Sequence, residues 1–143
     1  MLLQIERDIL FESLARVVPI ADKRTTLPIL SHILVEIDGE RLVLTATDLE
    51  IGLKMFITLP SEEIGRFSLP ARKLYEIVKE LPSGTVELEY LDAYRVRIQS
   101  GMSTFHLSGM DPLDYPAFGE QQNVEFASID AENFSWMIEK TLY

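Results

Sequence analysis

The fold class of this 143-residue chain is decided by the stretch Ile33-Leu34-Val35-Glu36-Ile37-Asp38-Gly39-Glu40-Arg41-Leu42-Val43-Leu44-Thr45. Two short β-prone runs flank the pair Asp38-Gly39, which favours a tight hairpin turn. A third run, Gly52 to Ile57, extends the hairpin into an antiparallel meander. Apolar and charged residues alternate in these runs, so we expect each strand to keep one side in water.

A second meander follows later in the chain. Its predicted strands are Val86 to Tyr90, Tyr94 to Ile98 and Thr104 to Leu107, and a turn is expected around Ser100-Gly101. The same alternation of apolar and charged residues recurs in these strands. The chain is therefore predicted to contain two antiparallel meanders.

A helical stretch precedes each meander, because apolar residues recur there at helical spacing. The residues are Leu10, Leu14 and Val17 before the first meander, and Leu74, Ile77, Val78 and Leu81 before the second. Pro70 suits the start of the second helix, while Pro82 and Gly84 should end it after Leu81.

The chain repeats itself at intervals of roughly 60 residues. Three stretches combine a short apolar strand with an amphipathic helix, namely Leu2 to Val18, Arg66 to Leu81 and Asn123 to Lys140. The chain thus contains two complete β-α-β-β-β units and the opening of a third. We predict an α+β fold in which two helices lie on one face of antiparallel sheets.

The third unit begins like the other two but has no meander. Asp130 is a helix-cap signal, and Phe134, Met137 and Ile138 supply an apolar stripe. Because this helix lacks a sheet of its own, we expect the natural protein to continue past Tyr143 and this chain to be a fragment. The predicted domains are residues 1–118 and, as a linker with the truncated opening of a second domain, residues 119–143.

Composition narrows the class of protein. With 47% apolar residues, the chain can bury one sizeable core. No apolar run approaches the roughly 20 residues that would span a bilayer, and the N-terminus lacks a signal-peptide pattern. The chain has no cysteine, which excludes disulfides and thiolate metal sites. We therefore expect a cytoplasmic protein.

The charge is distributed unevenly. The net charge of -10 argues against a nucleic-acid partner, because phosphate binding usually requires a basic balance. Residues 6–24 and 71–80, however, hold seven Lys or Arg against six Asp or Glu, whereas the remainder holds six against seventeen. The two predicted helices could therefore form one locally positive face in an otherwise acidic protein.

Enzyme signatures are missing from the sequence. It has no phosphate-binding Gly-rich loop, no nucleophile elbow and no metal-ligand spacing. We expect the isolated His32 and His106 to be surface or hairpin residues. Asp48 with Glu50, and Asp111 with Asp114, lie at predicted turns, where carboxylates usually accept bonds from local backbone. We predict no catalytic residue, no metal site and no cofactor.

Basic residues near the helix ends are the better candidates for a binding site. Arg72 and Lys73 fall in the first turn of the second helix, where the helix dipole disfavours cations. Lys23 and Arg24 follow the first helix, and Lys79 lies near the end of the second, where the dipole alone would explain it. If the helices lie side by side, these residues could meet a phosphate backbone.

Three runs of residues resemble those of one family. They are Lys23-Arg24-Thr25-Thr26-Leu27-Pro28-Ile29-Leu30, Leu44-Thr45-Ala46-Thr47-Asp48-Leu49-Glu50 and Leu69-Pro70-Ala71-Arg72-Lys73-Leu74. Together with Phe105-His106-Leu107 and Asp114-Tyr115-Pro116, they are similar, in order and spacing, to the bacterial DNA polymerase III beta subunit, the sliding clamp.

The resemblance implies a DNA clamp fold and a processivity factor rather than an enzyme. Subunits of this family have three such domains, and two subunits close head to tail into a ring around duplex DNA, with helices inside and sheets outside. By similarity, Arg24 and Arg72 are the best candidates for phosphate contacts, followed by Lys23, Lys73 and Lys79. Such contacts are independent of sequence and permit sliding. The polymerase and the clamp loader would bind through domains absent from this chain.

The resemblance also places Phe105, Leu107 and Arg95 at the edge where two subunits meet. Arginines are common beside that strand in the family, but this chain has Met102 and Thr104 there. We therefore expect apolar contact to matter more than charge pairing. The alternative to the clamp is an acidic protein-interaction module that binds a partner through an exposed strand edge and has no DNA role.

Overall fold

A computed structural model describes residues 1–21, 27–117 and 127–142. Its strands are β1 (Leu2–Glu6), β2 (His32–Asp38), β3 (Arg41–Thr47), β4 (Gly52–Thr58), β5 (Ile64–Pro70), β6 (Thr85–Tyr90), β7 (Arg95–Ser100) and β8 (Ser103–Ser108). Its helices are α1 (Arg7–Ala21), α2 (Ala71–Glu80) and α3 (Ala131–Thr141). Two short 3-10 turns cover Pro28–Ser31 and Pro112–Asp114.

The strands form two four-stranded antiparallel sheets, in the orders β1-β6-β7-β8 and β4-β3-β2-β5. The two β-α-β-β-β units exchange their first strands. Leu3 of β1 pairs with Leu88 in the meander of the second unit, whereas Phe67 of β5 pairs with Val35 in the meander of the first. The predicted α+β fold of two repeated units is confirmed, and the exchange of strands joins the units into one body.

The main core lies between the inner faces of the sheets and helices α1 and α2. Alternate strand residues point into it, and the helices add the predicted stripe of Leu10, Leu14 and Val17 together with Leu74 and Val78. All five of these helix side chains are fully buried. The periodicity in the sequence therefore predicted the core face of each helix.

Arg7, the first residue of α1, connects the two helices. Its guanidinium donates hydrogen bonds to the carbonyl oxygens of Val78 (2.9 Å) and Lys79 (2.5 Å) at the end of α2, where cations are favoured. It also lies 4.7 Å from the ring centre of Phe11, which stacks on Tyr75 of α2 at 5.3 Å. These contacts fix α1 against α2 as one layer.

Residues 109–117, which we call the strap, cross the outer face of the sheet β4-β3-β2-β5. The Ser68 hydroxyl accepts a bond from the Met110 N–H (3.0 Å) and donates one to the Met110 carbonyl (2.8 Å). Tyr115 is buried, and its hydroxyl lies 3.3 Å from the His32 carbonyl and 3.2 Å from that of Thr45. The strap and this sheet enclose a small second core of Ile29, Leu30, Leu34 and Tyr115.

The structure corrects several sequence expectations. Tyr94 is not the first residue of a strand but a turn residue with φ +63°, and Leu81 caps α2 rather than extending it. His32 was expected at the surface, but it is buried where β2 begins, and burial lowers its pKa.

The predicted cap of the third helix is present, since the Asp130 carboxylate accepts a bond from the Asn133 N–H (2.9 Å). The strand predicted before this helix falls among residues 118–126, which lie outside the described residues. Helix α3 is exposed along its whole length, including its apolar stripe.

Candidate nucleic-acid interface and subunit edge

Helix α2 carries a basic ridge on its solvent side. Arg72, Glu76 and Lys79 follow one another at helical spacing, and the Arg72 Nε lies 3.0 Å from a Glu76 carboxylate oxygen. Both side chains of this ion pair are exposed, at 67% for Arg72 and 59% for Glu76. An exposed pair of this kind contributes less than about 1 kcal/mol to the free energy of unfolding.

Lys73 points to a different side of the helix. It lines a groove of about 330 Å³ between α2 and β8, together with Glu76, Ile77, Glu80, Phe105 and Leu107. The structure therefore brings one predicted DNA contact, Lys73, beside two predicted interface residues, Phe105 and Leu107. Sequence reasoning missed the roles of Glu76 and Glu80 here, although their spacing from Lys73 along a helix would have revealed them.

Strand β8 is the edge of its sheet, and its outer backbone side pairs with no other strand in the described parts of the chain. Phe105 and Leu107 share its inner face, where Leu107 is buried but Phe105 remains 38% exposed. An apolar side chain at an open sheet edge favours association with another chain.

The structure does not bring Arg95 to this groove. Side chains alternate along a strand, so Arg95 lies on the outer face of β7 while Val96 faces the core beside Leu107. The Arg95 guanidinium instead binds the Asp92 carboxylate, 3.1 Å from its Nε. If Arg95 contacts a second subunit, it must do so from the outer face of the sheet.

Lys23 and Arg24 lie outside the described residues, so their geometry does not enter the site. Helix α1 ends at Ala21, immediately before this segment. Together α1 and α2 contain five Lys or Arg and four Asp or Glu, a balance of +1 in a chain of net charge -10. The segregation of charge predicted from sequence thus falls on the helix layer.

The carboxylates considered as catalytic candidates accept hydrogen bonds from nearby backbone N–H groups. Asp48 accepts bonds from the N–H groups of Glu50 (3.0 Å) and Ile51 (2.7 Å). Asp111 accepts from the Leu113 N–H (2.9 Å), which lowers the pKa of Asp111, and from the Tyr94 hydroxyl (2.7 Å). Both carboxylates therefore have the turn roles that their positions predict.

Residues 1–21, 27–117 and 127–142 hold no group of three or more His, Cys, Asp or Glu residues placed to share a metal ion. Over the same residues, no helix is long and apolar enough to cross a membrane.

Comparison with known proteins agrees with this geometry. The family described as "DNA polymerase III beta subunit, N-terminal domain" matches residues 1–119. The chain belongs to this family. The resemblance seen in the three sequence runs and the predicted clamp fold are thereby confirmed.

Individual relatives support the assignment to the clamp family. The beta sliding clamp of Vibrio harveyi is 34% identical over 140 residues, which are 97% of each chain, and that of Vibrio cholerae is 34% identical over 97% of this chain. The structure of Caulobacter crescentus pol III beta matches 99% of this chain with a TM-score of 0.90 and 35% identity. This chain spans 38% of the length of the Vibrio cholerae and Caulobacter crescentus clamps.

Proposed function

We propose that this chain supplies the first domain of a ring-shaped sliding clamp, a processivity factor that encircles duplex DNA and tethers the replicative polymerase. The observation that carries the proposal is the family match over residues 1–119. The layer of α1 and α2, with its balance of +1 in an acidic chain, fits such a role, because a ring needs weak attraction inside and none outside.

In this proposal, the helix layer faces the DNA backbone. Arg72 and Lys79 on the ridge of α2 would contact phosphate oxygens, joined by Arg24 and Lys23 beyond α1 and by Lys73 at the groove. Each contact replaces a weak surface interaction, as the Arg72–Glu76 pair illustrates, so no single contact would hold the ring at one position. Contacts to phosphate alone carry no sequence information and allow sliding.

The open edge of β8 would join a second subunit head to tail. Phe105 and Leu107 supply apolar contact there, and the charged rim of Lys73, Glu76 and Glu80 is available for polar pairing. The clamp itself performs no catalysis. It acts in the cytoplasm, where the polymerase and the clamp loader bind through other domains of the complete subunit.

The proposal can be tested in a complete ring. Residues 1–117 of this chain would replace the matching part of the Caulobacter crescentus clamp, and the chimera would be loaded onto nicked circular DNA. We expect rings that stay on circular DNA and slide off when it is cut, because topology retains them. Chimeric rings that assemble but are never retained would contradict the function.

The phosphate contacts are tested in the same ring. Replacing Arg24 and Arg72 by Ala should weaken DNA association without changing stability. Arg72 is exposed, and exposed charges contribute little to folding. Replacing Arg41 and Arg97, which form ion pairs on the sheets away from the helix layer, is the matched control and should leave DNA association unchanged. The 143-residue chain alone, with its net charge of -10, should bind labelled duplex barely or not at all, even at low salt.

A further inference from the structure

The basic ridge of α2 is interrupted by an acid. Its members Arg72, Glu76 and Lys79 stand at positions i, i+4 and i+7 of the helix, so the carboxylate lies between the two cations. The Glu76 side chain is 59% exposed, and one of its oxygens lies 3.0 Å from the Arg72 Nε. DNA that follows this ridge would therefore pass a negative charge as well as two positive ones.

The internal repeat places an acid at the same position of α1. Each helix begins directly after the first strand of its unit, at Arg7 and at Ala71, so Glu12 is the equivalent of Glu76. Both of these acids are exposed. The buried residues agree with this correspondence, since Leu10 matches Leu74 and Leu14 matches Val78.

Five exposed positions correspond between the two helices, and only the acidic one carries the same residue in both. The other four positions differ in charge between α1 and α2. They are Asp8 and Arg72, Ile9 and Lys73, Ala15 and Lys79, and Arg16 and Glu80. The acid is thus the one surface feature that the two helices have in common.

Folding does not require this acid. On a helix, an ion pair is weaker when the cation precedes the carboxylate by four residues, as Arg72 precedes Glu76, and an exposed pair adds little to stability. Arg72 also lies in the first turn of α2, where the helix dipole disfavours a cation. The pair is therefore better explained by its effect on what binds the ridge than by its effect on the fold.

A carboxylate at this place opposes a phosphate contact in two ways. It lies at the Arg72 Nε–H, which would otherwise be available to a phosphate oxygen, and its charge repels phosphate directly. A cation that neutralises a phosphate releases counterions and so strengthens attraction to DNA, and a neighbouring acid reduces that gain. A ring that topology retains on DNA needs no stronger attraction, whereas a ring that slides needs contacts that break rapidly.

We propose that the carboxylates of Glu76 and Glu12 limit the attraction between the helix layer and DNA, so that the ring slides. Glu76 competes with phosphate for the Arg72 guanidinium, and Glu12 adds a repelling charge on α1. This inference rests on the proposed clamp function and adds to it the residues that keep the DNA contact weak.

The test uses the chimeric ring of this chain and the Caulobacter crescentus clamp, with Glu76→Gln, which removes the charge but keeps the shape of the side chain. Labelled rings are followed on stretched duplex DNA, and their diffusion coefficient along the DNA is measured at low and at high salt. We expect Glu76→Gln to slow diffusion several-fold at low salt, and the difference to disappear at high salt, where charges are screened. Glu40→Gln, at an exposed position in the β2–β3 turn, makes the same change in net charge away from the helices and should leave diffusion unchanged. Equal slowing in Glu40→Gln would overturn the inference.

Arg72 separates competition from simple repulsion. In a ring with Arg72→Ala, Glu76 has no guanidinium to occupy, so adding Glu76→Gln should slow diffusion much less than it does when Arg72 is present. An undiminished effect in the Arg72→Ala ring would overturn the competition.

Ring closure is measured in parallel by sedimentation of the free rings, because Glu76 also lines the groove at the β8 edge. We expect the dimer to be unchanged. If Glu76→Gln weakens closure, Glu12→Gln decides, because Glu12 lies on α1 whereas the groove lies between α2 and β8, and it should slow diffusion with the same dependence on salt. Unchanged diffusion of both variants, in rings that are retained on DNA, would overturn the inference and leave the clamp function standing. Rings that are never retained would overturn the clamp function, and this inference with it.

Discussion

The outer faces of the two sheets differ sharply, although the same β-α-β-β-β unit builds both. On the sheet β1-β6-β7-β8, the outer residues of β6 and β7 are polar and partly or fully exposed, as in the Glu89–Arg97 ion pair. On the sheet β4-β3-β2-β5, the outer residues Leu34, Thr45 and Ser68 are buried under the strap. The difference comes from the segment that follows the second unit, because the segment that follows the first turns back into β5.

Gly109→Ala should have the largest effect on stability, because it disturbs the strap that covers only one of the two sheets. The added Cβ would lie 1.9 Å from a backbone oxygen, so the strap and β5 must separate, at a cost of about 3 kcal/mol in the free energy of unfolding. Urea denaturation measures the change. Gly65→Ala is the matched control, since its Cβ would meet only the flexible end of Met1 and should cost under about 1 kcal/mol. Equal costs for the two variants would mean that the close approach at Gly109 is unimportant.

The second-largest effect is expected at alkaline pH, which should weaken the packing of the strap on the sheet. Burial raises the pKa of Tyr115 to about 12, whereas an unfolded tyrosine titrates near about 10. The stabilisation that the buried, protonated Tyr115 hydroxyl gives the folded chain is therefore complete below pH about 10 and is lost as pH rises to about 12. Over that window the wild-type chain should lose about 2 kcal/mol more stability than Tyr115→Phe, which cannot ionise there. Parallel curves for the two proteins would place the Tyr115 hydroxyl in water.

The helix layer has an asymmetry of its own, because Ala71 of α2 is the equivalent of Arg7 in α1. Arg7→Ala should cost about 1.5 kcal/mol, since it removes charged hydrogen bonds from the Val78 and Lys79 carbonyls. Arg16→Ala on the same helix is the control and should change little, because Arg16 is exposed. Thermal unfolding of both variants checks the prediction, and a neutral Arg7→Ala would show that the apolar packing of α1 and α2 suffices.

The smallest effect is expected on the solvent side of α2. Arg72→Ala removes the exposed pair with Glu76 and should change the free energy of unfolding by less than about 0.5 kcal/mol. A loss above about 1.5 kcal/mol would mean that Arg72 is part of the fold rather than available to a ligand. The stability of this variant therefore tests whether Arg72, unlike Arg7, is dispensable for the fold.

Local chemistry allowed much of the fold to be predicted. The Asp38-Gly39 hairpin, the meanders and the stripes of α1 and α2 follow from turn preference and periodicity. The exchange of β1 and β5 does not, because it depends on pairing between residues far apart in sequence, such as Leu3 with Leu88. The burial of His32 was also missed. Its backbone carbonyl accepts a bond from the Tyr115 hydroxyl of the strap, a contact between residues far apart in sequence.

The site was predicted less completely than the fold. The sequence pointed to three basic residues, and the structure places all three on α2 as expected: Arg72, Lys73 and Lys79. The helix dipole disfavours the first two, in the first turn, and leaves their presence unexplained, whereas it favours Lys79 near the end of the helix. Their division between the ridge and the groove was missed, because it depends on which neighbour flanks each side of the helix. Phe105 and Leu107 came from family resemblance alone, and Arg95 lies on the other side of the sheet from them. Their roles remain predictions.

The exchanged strands impose an order on synthesis and folding. Leu3 emerges first from the ribosome, but its partner Leu88 is made 85 residues later. Strand β1 therefore cannot pair until most of the domain has been synthesised. Neither unit holds a complete sheet alone, and contacts of such long range slow folding. A cut in the chain between β4 and β5 would therefore yield two unstable halves that regain structure only when they are mixed.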